Sequence, residues 1–176
     1  RDLLFSANLA MIMLPFAVVM VPTYVLFSRL GWVGTFLPLI VPQYFGGPIS
    51  IFMLRQFFRT IPIELEDAAL IDGASRPRIF FQIILPLARP ALVVLTIQAI
   101  LYNWNNFLQP LIYLTNRDLY TLSLGVNSLA MFMPGVPDTV HYQMALSTLM
   151  ILPPVVLYFA AQRAFVRGIV LTGLKG

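Results

Sequence analysis

A run of amide side chains lies inside an otherwise apolar part of the chain. Five amides and one indole fall between residues 98 and 109: Gln98, Asn103, Trp104, Asn105, Asn106 and Gln109. Amides without hydrogen-bond partners are costly in hydrocarbon, so these side chains must face protein or water. They are candidate residues of a translocation path for a hydroxylated solute. Hydrogen bonding between helices is the alternative interpretation, and the residues alone leave both open.

A second group of polar residues, between residues 60 and 86, predicts two short helices joined at an angle. Pro62 is placed for the first turn of a helix. Three acids then complement its N-terminal dipole: Glu64, Glu66 and Asp67. Gly73, after Asp72, predicts that this helix ends through a left-handed residue. Ser75 is placed to cap the second helix.

The second helix has an apolar face that suits the membrane or the ends of membrane spans: Ile79, Phe80, Ile83 and Ile84. The first helix is then left exposed. Its Ala68 and Ala69 would permit close approach of another protein, and its acids would offer charged hydrogen bonds to that protein. We therefore predict a protein-docking helix.

Several kinds of chemistry have no residues to carry them. The sequence contains no G-x-x-x-x-G-K-[ST] phosphate loop, and its only lysine is Lys175, so it is not a nucleotide-hydrolysing subunit. The sole histidine, His141, is expected at a helix end near the membrane surface rather than in a metal site or catalytic relay. Cysteine is absent, which excludes disulfides and thiolate metal sites. We expect no cofactor, no catalytic residue and no nucleic-acid partner.

The elements that must position these residues are membrane spans. Of 176 residues 59% are hydrophobic and only 10% charged, far from the composition of a soluble domain. Four long uncharged stretches are each able to cross a bilayer as a helix. We predict an all-α, polytopic transmembrane helix bundle with spans at about 8–28, 35–55, 90–114 and 141–162. Proline and glycine interrupt the first, second and fourth, either to suit a moving pore or because both residues are common in membrane helices.

Orientation follows from the positive charges, because loops rich in Lys and Arg stay cytoplasmic. The predicted cytoplasmic side carries Arg1, Arg55, Arg59, Arg76, Arg78, Arg89, Arg163, Arg167 and Lys175. The other side has only Arg29 and Arg117. Both ends of this sequence and the 59–88 loop are therefore predicted to be cytoplasmic. The 115–138 loop is predicted to be external, with a short amphipathic helix around 123–132 near the headgroups.

The 59–88 loop also resembles a known pattern. Asp67-Ala68-Ala69, three residues, Gly73, nine residues and Ile83-Ile84-Leu85-Pro86 resemble the EAA loop of ATP-binding-cassette importer permeases, at the same spacing. Asp67 stands where that family usually has Glu, which shortens the carboxylate by one methylene. The resemblance implies that this loop couples the permease to its ATPase through Glu64, Glu66, Asp67, Ala68, Ala69, Asp72, Gly73, Ile83, Leu85 and Pro86.

Further segments resemble the carbohydrate-type branch of these permeases, which includes maltose and glycerol-phosphate systems. They are 54–62, 162–169 and the ending 172–176. Trp104-Asn105-Asn106-Phe107 resembles a Trp-Asn-Glu-Phe pattern, with Asn106 in place of the acid. The resemblance implies a type I permease fold of which this sequence holds the last four of six spans, so two N-terminal spans are expected to precede it.

The resemblance also implies partners and a mechanism. These are a second permease subunit, a cytoplasmic ATP-binding-cassette ATPase dimer and an extracytoplasmic solute-binding protein, all acting at a bacterial or archaeal inner membrane. ATP-driven closure of the dimer would rock the spans between inward and outward openings. The tail residues Leu174, Lys175 and Gly176 are expected near the ATPase interface. Sugar, oligosaccharide and glycerol phosphate all stay open as solutes.

Two other function classes compete with this interpretation. A membrane-embedded enzyme should show convergent ionisable residues inside its spans, and a secondary transporter should show an intramembrane acid or base. The predicted spans contain neither kind of site.

Overall fold

The computed structural model describes residues 2–132 and 139–172. Every regular element in those two ranges is helical, so the predicted all-α class is confirmed. The α-helices there are α1 (Asp2–Met13), α2 (Phe16–Arg29), α3 (Leu37–Ile40), α4 (Pro48–Phe58), α5 (Glu64–Ile71), α6 (Arg76–Ile79), α7 (Leu85–Leu87), α8 (Arg89–Trp104), α9 (Leu108–Tyr113), α10 (Leu122–Phe132) and α11 (Thr139–Thr172). Short 3-10 helices occupy Val41–Phe45 and Arg117–Leu119, and a π-helical turn, Phe80–Ile84, joins α6 to α7.

Some of these helices are long and apolar enough to cross a membrane. Within the described residues two segments pass that test alone: Leu37–Phe58, which runs from α3 to α4, and Val140–Gln162 of α11. Up to four candidates result if each of two bent helix pairs forms one span. The bent pairs are α1 with α2 and the Arg76–Leu87 segment with α8. Little of the two single spans is buried inside the chain, so lipid or other protein must cover them. Where the chain enters and leaves the bilayer stays a prediction.

Breaks in the helices fall at some of the prolines and glycines that interrupt the predicted spans. Pro15 separates α1 from α2, and Gly46, with φ of +75°, separates the Val41–Phe45 turn from α4. Pro22 lies inside α2, and Pro153 with Pro154 lies inside α11, without ending either helix. Proline in a helix interior removes a backbone donor, so the helices that continue past it need another partner for the freed carbonyl.

The chain divides into two compact units. The first comprises the described residues of 1–12, 47–98 and 161–176. Here α1 packs on α4: the Asn8 side-chain nitrogen donates to the Pro48 carbonyl at 3.0 Å, and the Phe5 ring stacks on Phe52 with centroids 6.1 Å apart. The Arg55 guanidinium lies 3.6 Å from the centre of the Phe5 ring, a cation–π contact. Three contacts thus fix α1 along α4.

The second unit comprises residues 13–46 and 99–160 of the described chain, and Tyr113 lies in its core. Tyr113 is buried, with its ring edge-on to Phe27 at 5.5 Å and its hydroxyl 3.3 Å from that of Thr23. Its carbonyl accepts a 2.8 Å bond from the amide of Gly34. Gly34 has φ of +84°, and a Cβ there would lie 3.0 Å from the Thr115 hydroxyl, so this approach requires glycine.

A helix in the 115–138 region is confirmed as α10, Leu122–Phe132, close to the predicted 123–132. Ser123, Leu124 and Val126 on this helix are buried within the chain. One face of α10 therefore packs on protein. Residues 133–138 of the predicted external loop lie outside the described residues.

Candidate coupling surface and translocation path

Helix α5 presents the predicted acidic cluster. Glu64, Glu66 and Asp67 all lie in its first turn, and all three are exposed. The Asp67 amide donates to the Ile63 carbonyl at 3.0 Å, which starts the helical pattern one residue after Pro62. Acids in this position stabilise the positive end of the helix dipole. Their exposure leaves the carboxylates available to another molecule.

The end of α5 follows the predicted glycine rule. Gly73 has φ of +76°, its amide donates to Leu70 O at 3.0 Å, and the amide of Ala74 donates to Ala69 O at 2.9 Å. These two bonds form a Schellman motif, in which a left-handed residue closes the helix. A Cβ at Gly73 would meet no atom within 4 Å, so only the backbone conformation restricts this position.

The two alanines of the loop differ in position. Ala68 is exposed, whereas Ala69 is only 8% exposed and lines a cleft together with the buried Ile79. The small side chain of Ala69 thus lets α5 pack on the following helix, whereas Ala68 lies on the open side of α5. Contact of the two alanines with another protein stays a prediction.

The helix after α5 differs in detail from its prediction. Ser75 occupies the N-cap position with extended backbone, but its side chain makes no capping hydrogen bond, so the predicted cap is wrong. Past α6 the helix widens into the π-helical turn Phe80–Ile84, just before Pro86. A proline at 86 leaves the Gln82 carbonyl without its helical donor, and such a turn is one way to accommodate the loss.

Three further residues of the predicted coupling set lie on this helix or directly after it. Ile83, Leu85 and Pro86 are all half-buried. They are thus less accessible than the acids of α5, which suits a supporting role. Asp72, in contrast, is exposed at the end of α5.

Two open clefts flank α5. One, of about 270 Å³, is lined by Phe58, Arg59, Ile61, Pro62, Ile63, Glu66 and Ile84. The other, of about 220 Å³, is lined by Ala69, Asp72, Ala74, Arg78, Ile79, Gln82 and Ile83. Each combines an acid, an arginine and apolar side chains, so both surfaces beside α5 are of mixed charged and apolar character. The predicted tail residues Leu174, Lys175 and Gly176 lie outside the described residues.

The amides near the end of α8 make bonds to their own helix. The side-chain nitrogens of Asn103 and Asn105 donate to Ala99 O and Leu101 O, each at 2.8 Å. Both asparagines are exposed, as is Gln98 on the same helix. These back-bonds differ from the interhelical bonds of the alternative interpretation. They satisfy a donor locally, so the two side chains tolerate an apolar setting better than bare amides would.

Asn106 and Gln109 bridge the break between α8 and α9. The Asn106 side-chain nitrogen donates to Gln109 Oε1 at 2.7 Å, and the Gln109 amide donates to Asn106 Oδ1 at 3.3 Å. In a continuous helix that amide would bond Asn105 O, which here accepts from the hydroxyl of buried Ser123 at 3.4 Å. Side chains thus replace the main-chain bonds lost at the break.

Trp104 makes the interhelical bond that the asparagines do not. Its indole nitrogen donates to the backbone carbonyl of Met150 on α11 at 3.0 Å, within the second unit. The predicted path residues therefore fall into two groups. Gln98, Asn103 and Asn105 are exposed, while Trp104, Asn106 and Gln109 hold backbone or side-chain partners in half-buried positions.

The described residues have helices as their regular elements and apolar segments of membrane length, which makes the chain a multi-pass membrane protein. It belongs to the family described as binding-protein-dependent transport system inner membrane component, which matches residues 1–171. Membership of this family places the chain among inner-membrane transport proteins rather than enzymes.

Curated relatives agree with this assignment. The chain is 38% identical over its whole length to the arabinooligosaccharides transport system permease protein AraQ of Halalkalibacterium halodurans, of which it covers 62%. It is 37% identical over 97% of its length to the sn-glycerol-3-phosphate transport system permease protein UgpE of Shigella flexneri, and 35% identical over 96% to the lactose transport system permease protein LacG of Rhizobium radiobacter. It covers 60% of each of those two relatives. The chain thus spans about three fifths of the relatives it matches.

Proposed function

We propose that this chain is part of the membrane-spanning permease subunit of an ATP-driven importer and that α5 couples it to an ATPase carried on a separate polypeptide. The observation that carries the proposal is α5 itself. It is a short helix with an exposed acidic first turn, closed by a left-handed glycine, between segments of membrane character. An exposed acidic helix of this kind offers charge-assisted hydrogen bonds to basic side chains of a partner.

The solute is a sugar or a related polar molecule. The relatives include arabinooligosaccharide, glycerol-phosphate and lactose permeases, which supports a hydroxylated solute. The exposed amides of Gln98, Asn103 and Asn105 have the hydrogen-bonding chemistry that hydroxyl groups need. These three are the residues through which the translocation path would contact its cargo.

The same family membership supports the following assembly. A second permease subunit would complete the path, an ATPase dimer would hold α5, and an external binding protein would deliver the solute. The tail residues 174–176 would also contact the ATPase. In this arrangement the acids of α5 face the cytoplasm, and ATP-driven movement of the ATPase dimer reaches the spans through the helices on either side of α5.

Charge reversal on α5 tests the coupling proposal. Glu64→Lys combined with Asp67→Lys, made in the full-length permease, should greatly reduce the amount of ATPase that copurifies with it. A single charged hydrogen bond is worth about 1.5–3 kcal/mol, so losing one lowers affinity at least about tenfold. Both residues are exposed, so the permease should lose only their interaction with the helix dipole, about 0.3–1 kcal/mol for each acid, and its thermal stability in detergent should fall only slightly.

Asp118→Lys is the matched control, because Asp118 is an equally exposed acid on the predicted external side. It should retain the ATPase at the wild-type level. Equal copurification with the α5 variant and the control would refute the docking role of α5. Loss of the ATPase from both variants would refute it as well, since the effect would not then depend on this helix.

A further inference from the structure

Met150 is the residue whose carbonyl the two prolines of α11 leave without a helical donor. In a helix this carbonyl bonds the amide four residues on, or three on in a tighter 3-10 turn. Those residues are Pro154 and Pro153, and neither has an N–H group. Leu149 and Ile151 each lose only one of the two donors, so Met150 alone loses both.

Trp104 supplies the missing donor. The indole nitrogen lies 3.0 Å from Met150 O, and the bond is partly buried. Both residues and Pro154 are half-buried in the second unit, where water has restricted access to the carbonyl. A buried carbonyl without a partner is costly, which gives this bond more weight than an exposed one would have.

The bond also has a mechanical consequence. Trp104 is the last residue of α8, directly before the break at 105–107. The proline pair lies inside α11. The bond therefore joins the end of one helix, at its break, to the turn of another that contains the proline pair, 46 residues away in sequence.

We propose that Trp104 is a positioning residue, whose indole N–H replaces the amide that Pro154 lacks and holds the proline turn of α11 to the end of α8, so that the two segments move together during transport. The inference rests on the proposed transport function and deepens it. It also separates Trp104 from the exposed amides, because an indole N–H engaged with backbone is not available to the solute.

A double-mutant cycle tests this in the full-length, assembled transporter. Trp104→Phe keeps an aromatic ring but removes the N–H. Pro154→Ala supplies a main-chain amide to Met150 O, which makes the indole bond unnecessary. We expect Trp104→Phe to shorten the half-life of thermal inactivation about five- to tenfold and to lower maximal uptake, with the KM for solute unchanged. In the Pro154→Ala background, Trp104→Phe should alter the inactivation half-life and the maximal uptake by less than twofold each.

Pro153→Ala is the matched control, because in the α-helical pattern of α11 its new amide bonds Leu149 O and would reach Met150 O only in a tighter 3-10 turn. It should leave most of the Trp104→Phe defect in place. Equal rescue by both alanines, or no rescue by Pro154→Ala, would overturn the proposal. So would a raised KM that Pro154→Ala does not correct, which would make Trp104 a solute-binding residue.

A second variant and a second measurement cover the case in which Pro154→Ala does not assemble. Pro154→Ser supplies the same amide. Hydrogen exchange across residues 146–158 compares wild type with Trp104→Phe directly: faster exchange supports the proposal, and unchanged exchange overturns it. Thermal half-life and exchange do not require transport, so failure of this inference is distinguishable from failure of the proposed function.

Discussion

Gly73 and Gly31 both adopt the left-handed backbone conformation that favours glycine. Gly73 has φ of +76° and Gly31 has φ of +70°, and a Cβ at either would meet no atom within 4 Å. Alanine at these positions is therefore strained by its backbone alone. The left-handed region costs about 1–2 kcal/mol for a residue with a Cβ.

We predict that Gly73→Ala and Gly31→Ala destabilise the permease by similar amounts and differ in coupling. Gly73→Ala should reduce transport per ATP hydrolysed, because the Schellman turn sets the direction in which α5 ends. Gly31→Ala should leave that ratio unchanged. Uptake and hydrolysis measured on the same reconstituted samples give the ratio. Gly73→Asn should recover part of it, since Asn tolerates the left-handed region. The same ratio in both alanine variants would contradict a special role for Gly73.

The residue scale is also where the sequence was most informative about α5. Its acidic first turn and its glycine stop depend on neighbours within a few positions, so the helix and its end were predicted correctly. The burial of Ala69 was not predicted, because it depends on how α5 packs against Ile79. Ser75 shows the same limit: its sequence position is that of a cap, but its side chain makes no capping bond.

At the scale of elements, the break between α8 and α9 separates two uses of asparagine. Asn106 pairs with Gln109 across the break, whereas the Asn103 side chain is exposed and donates to Ala99 O of its own helix. The sequence identified both as polar residues in an apolar segment. Periodicity and composition could not assign them different roles, because the difference arises from where α8 ends.

We predict that Asn106→Ala destabilises the permease by about 1–2 kcal/mol, because it leaves the Gln109 amide and side chain without partners. Asn103→Ala should change stability little and weaken solute affinity, as expected of an exposed residue in the path. Thermal inactivation and the KM for uptake measure the two effects.

Thr96→Ala is the control for Asn103→Ala, since Thr96 is also exposed on α8 and bonds the carbonyl four residues earlier at 2.8 Å. It should affect neither quantity. An unchanged KM in Asn103→Ala would remove Asn103 from the path, and an unchanged inactivation rate in Asn106→Ala would remove the bridge as a support of the break.

The pairing of α1 with α4 is a second feature of elements that the sequence did not reveal. Asn8 and Pro48 are 40 residues apart, and Phe5 contacts both Phe52 and Arg55. Each of these residues taken alone resembles any other in a membrane segment. Because α4 leads into the segment before α5, a movement of α5 that reaches α4 would also reach α1.

At the scale of the whole molecule, composition and charge pattern predicted the all-α class, and the spacing of the residues from Asp67 to Pro86 carried the family resemblance. They did not reveal the long-range bonds that hold helices together, such as that from Trp104 to Met150. A signal was nevertheless present. Two adjacent prolines inside a helix leave one carbonyl without either helical donor, and a search for a donor elsewhere in the chain follows from that fact.

The orientation of the chain is testable because the sequence contains no cysteine. In a full-length permease and partners freed of other cysteines, Ile71→Cys and Asp118→Cys each introduce one exposed thiol, and Ile71 is 87% exposed. The excess of arginine on the α5 side predicts that α5 is cytoplasmic. A membrane-impermeant maleimide should therefore label Asp118→Cys in right-side-out vesicles and Ile71→Cys only in inverted ones.

Adding purified ATPase to the inverted vesicles should then slow labelling of Ile71→Cys, because docking on α5 covers this position. Labelling of Ile71→Cys from the outside would reverse the topology and remove α5 from any contact with a cytoplasmic ATPase, whereas correct sidedness without protection would keep the topology and refute the docking alone.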